Sequence, residues 1–167
     1  MSKSAGNIIS PRKIVDKIGS DILRLWVMSV DYRSDARVSD EVISHVVDTY
    51  RSLRNTIRFQ IGNLSDFDRG RDAVPIESCL PVDLWALHKT DQLLTAVTLA
   101  FEQYEFQRAY QLINRFCTVT LSATYHDLLK DRLYTFGRDS RERRSAQTVV
   151  DQIFEALIRV IAPVLVF

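Results

Sequence analysis

The sequence predicts an all-α fold, and three observations support this class. Only five glycines and four prolines occur in 167 residues, so long intervals lack the residues that usually end helices. Within these intervals apolar residues recur every three to four positions, which is the spacing of one helix face. Hydrophobic residues make up 46% of the chain, which is enough for one well-buried core.

Two short helices are expected in the first forty residues. Ser10 and Pro11 are typical of a helix start, because serine accepts hydrogen bonds from free amides and proline suits the first helical position. Gly19 then ends this helix. A second helix begins at 20–21 and is apolar on nearly all sides, so other elements must enclose it. The polar stretch 31–38 is interpreted as a connector.

Four longer helical segments are expected to follow and to form a bundle, because each has one apolar stripe that needs neighbours to cover it. They are predicted at 39–61, 83–105, 106–133 and 145–162, with a loop over 63–81. Acidic residues in the first turn of the first segment suit the helix dipole. The predicted inward stripes are Val42, Val46, Tyr50, Leu53, Ile57 and Ile61; Leu84, Leu87, Leu94, Val97, Phe101 and Tyr104; Ala109, Leu112, Ile113, Phe116, Val119 and Ala123; and Val149, Val150, Ile153, Phe154, Leu157 and Ile161.

Charge and composition exclude several classes of protein. The net charge of +1 is too small for a polybasic protein, so contact with nucleic acid would need clustered cations. Cys79 and Cys117 are too few for a disulfide framework, and the three histidines lack zinc-site spacing, so no metal is predicted. No apolar run is long enough to span a bilayer, and no signal peptide is recognised. We therefore expect a soluble, cytoplasmic protein without membrane contact.

The opening stretch Ser2-Lys3-Ser4-Ala5-Gly6-Asn7 has the chemistry of a phosphate contact. A lysine between two hydroxyls can neutralise a phosphate, and a nearby glycine allows close approach of the backbone. The pattern is not a P-loop, because the glycine spacing is absent and no strand precedes it. On these residues alone, a phosphate contact and an idle chain end both remain open.

Several motifs resemble class I aminoacyl-tRNA synthetases, and the isoleucyl family most closely. Residues 1–7 resemble the Lys-Met-Ser-Lys-Ser signature without its first lysine. Further similar stretches are 19–26, 31–35, 50–59, 62–68 and 130–134. The valyl, leucyl and methionyl families share this architecture and remain alternatives.

The resemblance implies a domain organisation and a partner. Residues 1–38 would form the signature loop and a short helical linker unit, and residues 39–167 an anticodon-binding helical bundle. The apolar stretch 164–167 suggests that this bundle is cut at its carboxyl end. The family's nucleotide-binding sheet and its His-Ile-Gly-His motif are missing, so this chain alone is expected to be inactive. The implied partner is an isoleucine tRNA and not DNA, and the implied state is a monomer.

The resemblance also implies a cofactor for the full-length enzyme. Lys3 matches the signature lysine that contacts the phosphates of ATP, and Ser2 and Ser4 flank it. In the family this preplaced cation stabilises charge that develops on pyrophosphate. ATP, with Mg²⁺, would serve an isoleucine–tRNA ligase of full length, and this chain alone is expected to bind neither.

Candidate tRNA contacts lie on the first long helix. Arg51, Arg54 and Arg58 share one face through their i, i+3, i+7 spacing. Asn55 lies beside them, and Tyr50 lies at the margin. Cations, an amide and an aromatic ring suit unstacked RNA bases, and Arg54 matches by position an arginine near the anticodon in related class I enzymes. Alternatively, these arginines pair with acids of neighbouring helices.

The charged connector after the third segment is a second candidate. Lys130 and Arg132 could contact RNA phosphates, although mixed charges in a connector are more typical of a solvated loop. His88 and His126 are expected on helix surfaces, and Cys117 is expected in the core. The competing function is a helical protein-interaction domain without RNA binding.

Overall fold

The computed structural model describes residues 10–35 and 38–167, and the regular elements in these ranges are all helical. They are α1 (Pro11–Ile18), α2 (Ser20–Ser29), α3 (Asp40–Asn63), α4 (Arg69–Asp72), α5 (Pro81–Glu102), α6 (Phe106–Arg115), α7 (His126–Thr135) and α8 (Arg141–Ile161). A 3₁₀ turn (Ile76–Ser78) precedes α5, and a π-helical segment (Phe116–Tyr125) joins α6 to α7 without interruption. The predicted all-α class is therefore confirmed.

Four long units form the bundle, namely α3, α5, the continuous α6–π–α7 unit and α8. α5 packs against α6 and α8, while α3 packs against the π segment, α8 and α2. The side chains that are fully enclosed between these units include Val97, Leu121, Tyr125, Leu129, Val149 and Ile153. This arrangement directs one side of α3 toward the core and leaves its opposite side in solvent.

The helix α2 packs directly on the bundle. It contributes three residues to the common core, which are Ile22, Leu25 and Met28. The amides of Val166 and Phe167 donate to Oδ1 of Asp21 at 3.1 and 3.3 Å, and the guanidinium of Arg24 donates to two carbonyls just after α8. The linker helix is thus attached to the end of the chain, and the domain boundary after residue 38 stays a prediction.

The start of α3 and the end of α1 form as the sequence predicts. Gly19 follows α1 with φ at +92°, a conformation that glycine adopts without strain. The Ser39 hydroxyl accepts a hydrogen bond from the Val42 amide at 3.2 Å and caps α3. The Ser10 side chain makes no such bond at the start of α1, so the capping role predicted for it is wrong.

Two other predicted helix ends are shifted. α3 continues through Gly62 to Asn63, because glycine in a helix costs only about 1 kcal/mol relative to alanine and does not by itself end it. α8 begins at Arg141 rather than at Ser145, because the hydroxyl of Ser140 accepts from the amide of Arg143 and caps the helix earlier. The loop over 63–81 also contains the short α4 and the 3₁₀ turn.

The buried face differs from the predicted stripe in α3 and in α5. Ile61 and Leu84 were expected to face inward, as was Tyr104 just after α5, but all three are exposed. Polar side chains fill the inward positions instead, and these are Thr56, Gln60, Asp83 and Thr90. An apolar pattern does not reveal such positions. Hydrogen bonds inside the fold make the burial of Thr56, Asp83 and Thr90 possible.

The π segment rotates the buried face of its unit. Val119 and Ala123 were predicted to face inward, but both are exposed, whereas Cys117, Leu121 and Tyr125 face the core. A π turn contains more residues than an α turn. Successive buried positions are therefore four residues apart here, whereas in an α-helix spacings of three and four residues alternate. A stripe calculated for an α-helix therefore drifts away from the core.

Candidate nucleic-acid interface

The outer side of α3 carries the largest group of predicted contact residues. We call this group, Arg51, Arg54, Asn55 and Arg58, the basic face. All four side chains are exposed, and they lie opposite the buried side of the helix. Arg54 and Arg58 are one turn apart, which places their Cβ atoms roughly 6 Å from each other. Tyr50 is partly buried and packs against the core at the margin of this face.

The arginines of the basic face differ in their partners. Nη1 of Arg51 donates to Oδ1 of Asp48 at 3.1 Å, and both side chains are largely exposed. Within residues 10–35 and 38–167, no acidic group lies within 4.0 Å of the Arg54 or Arg58 guanidinium. The alternative was that these two arginines pair with acids of neighbouring helices. The described part of the chain contains no such pair.

Lys130 and Arg132 lie in different surroundings, although they are close in sequence. Nζ of the exposed Lys130 donates to Asp127 at 2.7 Å, and this hydrogen bond raises the pKa of the lysine. The Arg132 side chain is only 11% exposed. Its Nη1 and Nη2 donate to the two carboxylate oxygens of Asp83 at 2.8 and 2.7 Å. Arg132 is thus paired with a buried carboxylate rather than lying free at the surface, and a tRNA contact for it stays a prediction.

Asp83 is the centre of a buried polar network that joins four elements. Besides Arg132, the hydroxyls of Tyr125 and Ser145 donate to it at 2.7 and 2.5 Å. Burial, followed by the charge of Asp83, raises the pKa of Tyr125 well above its ordinary value, so the phenol remains a donor. The sequence interpretation missed this network. Asp83 lies on the buried face of α5 with Ala86 and Thr90, a face that the predicted apolar stripe did not mark.

A second network attaches the loop after α3 to α8. Asp66 accepts from Arg143 Nη2 at 3.1 Å and from Gln147 Nε2 at 2.7 Å. Burial alone would raise the pKa of Asp66, but the hydrogen bond from Gln147 and the charge of Arg143 outweigh it and lower this pKa. The Arg144 side chain is 6% exposed and lies 3.4 Å from Asp72. These contacts give the acidic motif over 62–68 a structural role.

His126 is buried rather than on the surface, which corrects the prediction. Its ring stacks on Phe59 with the centroids 4.3 Å apart. Burial lowers its pKa to about 4, so the ring is neutral at physiological pH. Cys117 is buried as predicted, and burial raises its pKa to about 12. Neither side chain has the environment of a nucleophile or a general base.

Three further predictions concern an ATP contact, a metal site and a membrane span. Ser2, Lys3 and Ser4 lie outside the described residues, so their contact with ATP phosphates stays a prediction. In the part of the chain that the structure describes, no group of three or more His, Cys, Asp or Glu side chains could hold a metal ion. No helix within 10–35 and 38–167 combines the length and the apolar composition that crossing a membrane requires.

This chain is similar to known tRNA ligases. Residues 83–167 match the family model described as "Anticodon-binding domain of tRNA ligase", and residues 1–39 match that of "tRNA synthetases class I (I, L, M and V)". The chain is 50% identical to the isoleucine–tRNA ligase of Petrotoga mobilis, 48% to that of Halorhodospira halophila and 47% to that of Carboxydothermus hydrogenoformans. Each alignment covers 100% of this chain but only 18% of the relative. These similarities confirm the resemblance that the motifs predicted.

Proposed function

We propose, because this chain belongs to the family of anticodon-binding domains of tRNA ligases, that its helical bundle binds a tRNA at the anticodon stem and loop. The basic face of α3 would make the contact. The observation that carries this proposal is the environment of Arg54 and Arg58. Both guanidinium groups are exposed, and neither has an acidic partner within the described ranges. An RNA phosphate or base edge can fill the place that a carboxylate would otherwise take.

The side chains of the basic face suit different parts of an RNA loop. A guanidinium binds a phosphate through two parallel hydrogen bonds and also stacks on a base. The amide of Asn55 can donate and accept at the edge of an unpaired base. Arg51 can exchange Asp48 for a phosphate at little cost, since an exposed ion pair contributes only about 0–1 kcal/mol.

Packing holds the basic face in place before RNA arrives. The hydroxyl of Thr56 lies 3.0 Å from that of Ser122, and the Tyr110 hydroxyl donates to Thr49 at 2.9 Å. These bonds attach the inner side of α3 to the α6–π–α7 unit, while Asp66 attaches the loop at its end to α8. A preorganised surface loses less conformational entropy on binding.

We further propose that the chain is part of an isoleucine–tRNA ligase that acts on isoleucine tRNA. Identities of 47–50% over all 167 residues support this. Use of ATP with Mg²⁺ would belong to the longer protein, through Lys3 and the neighbouring serines. We expect this protein to be a cytoplasmic monomer that binds neither DNA nor a membrane, and we expect the chain alone to form no aminoacyl adenylate.

Binding of tRNA at several salt concentrations tests the proposed contact. Arg54→Ala should weaken binding about three- to tenfold and reduce the slope of log K against log salt by about one, because one phosphate contact is lost. Arg159→Ala is a control, since Arg159 is an exposed arginine of α8 that borders a groove beside α5 rather than the basic face of α3. It should bind as the unmodified chain does.

The outcomes separate the two candidate functions. If the unmodified chain binds no tRNA at low salt, the helical protein-interaction domain becomes the better interpretation. If Arg54→Ala behaves like Arg159→Ala, the contact is not the basic face. Sequencing the RNA bound from a tRNA pool tests specificity, and enrichment of valine, leucine or methionine tRNA would contradict the assignment to isoleucine.

A further inference from the structure

A pocket of about 260 Å³ lies where the connector after α2 meets the turn between α5 and α6. Its walls are formed by residues 30–33 and 104–108. Tyr32 and Tyr104 flank it and are 57% and 65% exposed. The ring of Phe106 lies between them, with centroids 6.2 Å from Tyr32 and 6.0 Å from Tyr104. Two exposed aromatic rings therefore border one small cavity.

The backbone of Tyr104 indicates that this ring has a surface role. Its φ is +58°, the one positive value at a residue other than glycine in the described part. The amide of Tyr104 donates to the Phe101 carbonyl at 3.0 Å, and that of Glu105 donates to the Ala100 carbonyl at 2.7 Å. This pair of bonds is the Schellman motif, in which the residue at this position is usually glycine. A tyrosine here adds strain, and burial in the core does not offset it.

The charges around the pocket nearly cancel. The guanidinium carbon of Arg33 lies 5.9 Å from the centroid of Tyr32. Arg108 donates to Glu105 at 2.8 Å, and Asp31 accepts from the amide of Arg33 at 3.0 Å. Exposed rings beside a planar guanidinium are typical of sites that hold an unstacked base. Stacking rather than net charge would supply the affinity at such a site.

We propose that this pocket holds one unpaired nucleobase of the bound tRNA, as a second contact separate from the basic face. This inference rests on the proposed function. α3 and the α6–π–α7 unit run in parallel, since Thr49 meets Tyr110 and Phe59 meets His126. Phe106 is therefore level with the first turns of α3, and Arg54 and Arg58 lie roughly 14–20 Å further along the axis. One RNA of the size of a tRNA can reach both places.

Tyr104→Gly tests the proposal without endangering the fold. Glycine adopts the positive φ without strain, so the melting temperature of this variant should be no lower than that of the unmodified chain. Binding of tRNA should weaken about tenfold, the effect of losing one stacked base. The salt slope should stay unchanged, because no phosphate contact is removed. Tyr104→Phe keeps the ring and should keep the affinity.

Two further variants complete the test. Tyr134→Leu removes a 62% exposed tyrosine outside the pocket and should leave binding unchanged. Tyr32→Leu should weaken binding as Tyr104→Gly does. If both pocket variants bind as tightly as the unmodified chain while Arg54→Ala binds more weakly, this proposal is overturned and the proposed function stands. A pocket that binds a peptide instead of a base would give this same result. If the unmodified chain binds no tRNA, both are overturned.

Discussion

The arginines of the helical bundle occupy two contrasting regions. Arg132 and Arg144 lie near the start of α8. Their side chains are only 11% and 6% exposed, and both contact carboxylates. Arg54 and Arg58 lie on the outer side of α3 in solvent, with no acidic neighbour within the described ranges. The same residue type thus holds helices together in one region and leaves a cationic surface in the other.

The difference follows from where the matching acids are. Asp83 is directed inward by the periodicity of α5 and is fully buried, so it needs a cation that can follow it into the core. Arg132, the arginine that does so, gives up most of its contact with solvent, since its side chain is only 11% exposed. In the described part of the chain, the outer side of α3 has no buried acid beside it, so the arginines there remain available to bind a ligand from solvent.

The largest expected effect comes from breaking the buried pair. Arg132→Met should lower the free energy of unfolding by about 3–5 kcal/mol, because it leaves the carboxylate of Asp83 buried without its cation. Arg58→Met, on the exposed side, should change it by less than about 0.5 kcal/mol. Urea unfolding of both variants measures the contrast, and equal losses would remove the distinction between the two regions.

The histidines extend the comparison to a side chain that titrates. An unfolded histidine takes up a proton below about pH 6.5, whereas the buried His126 does so only near its folded pKa of about 4. The contribution of His126 to the free energy of unfolding is therefore fully present above pH 6.5. It decreases as the pH falls, and about 3 kcal/mol is lost at pH 4. Urea midpoints between pH 7.5 and pH 4 should show this loss.

Two histidine variants show whether this loss belongs to His126. His126→Phe should flatten the profile between pH 6.5 and pH 4, since phenylalanine can stack on Phe59 without titrating. His88→Gln, at an exposed position, should leave the profile unchanged. A profile that keeps its slope in His126→Phe would assign the loss to other groups.

A smaller effect is expected at two helix starts that look alike in sequence. Ser39→Ala should lower the free energy of unfolding by about 1 kcal/mol, because its hydroxyl accepts from the Val42 amide. Ser10→Ala should cost only a few tenths of that, since the Ser10 side chain caps nothing. Thermal unfolding of the two variants measures the difference, and similar shifts would contradict it.

The smallest effect is expected for the exposed pair on α3. A double-mutant cycle with Arg51→Ala and Asp48→Ala should give a coupling of about 0.5 kcal/mol or less, because solvent screens both charges. The coupling should decrease further at high salt. A coupling above about 1.5 kcal/mol would mean that Arg51 is held as firmly as the buried arginines.

Sequence patterns predicted the helices well and their buried sides less well. The helix starts at Pro11 and Asp40 and the break near Glu105 were readable, because caps and turn residues act locally. The inward position of Gln60 was not readable, since an apolar stripe marks only apolar positions. The π segment was also invisible, because nothing in its composition separates it from an ordinary helix.

The sequence predicted only the part of the candidate site that depends on contacts within one helix. The spacing of Arg54 and Arg58 places them on one face in any α-helix, so their grouping follows from the sequence. The inward direction of Arg132 depends on Asp83, which lies 49 residues away in the chain. The pocket beside Tyr104 depends likewise on the connector over residues 30–33, which is distant from Tyr104 in the sequence.

The sequence by itself determined the helical class, most helix ends, the family and the shared face of the α3 arginines, because each of these follows from contacts within a few residues or from motifs. Only the tertiary structure decided which arginines are free and which are enclosed, and which side of the π segment is buried. The physical reason is that burial depends on which distant groups meet. A charge in the interior is stable only where the fold brings it a partner.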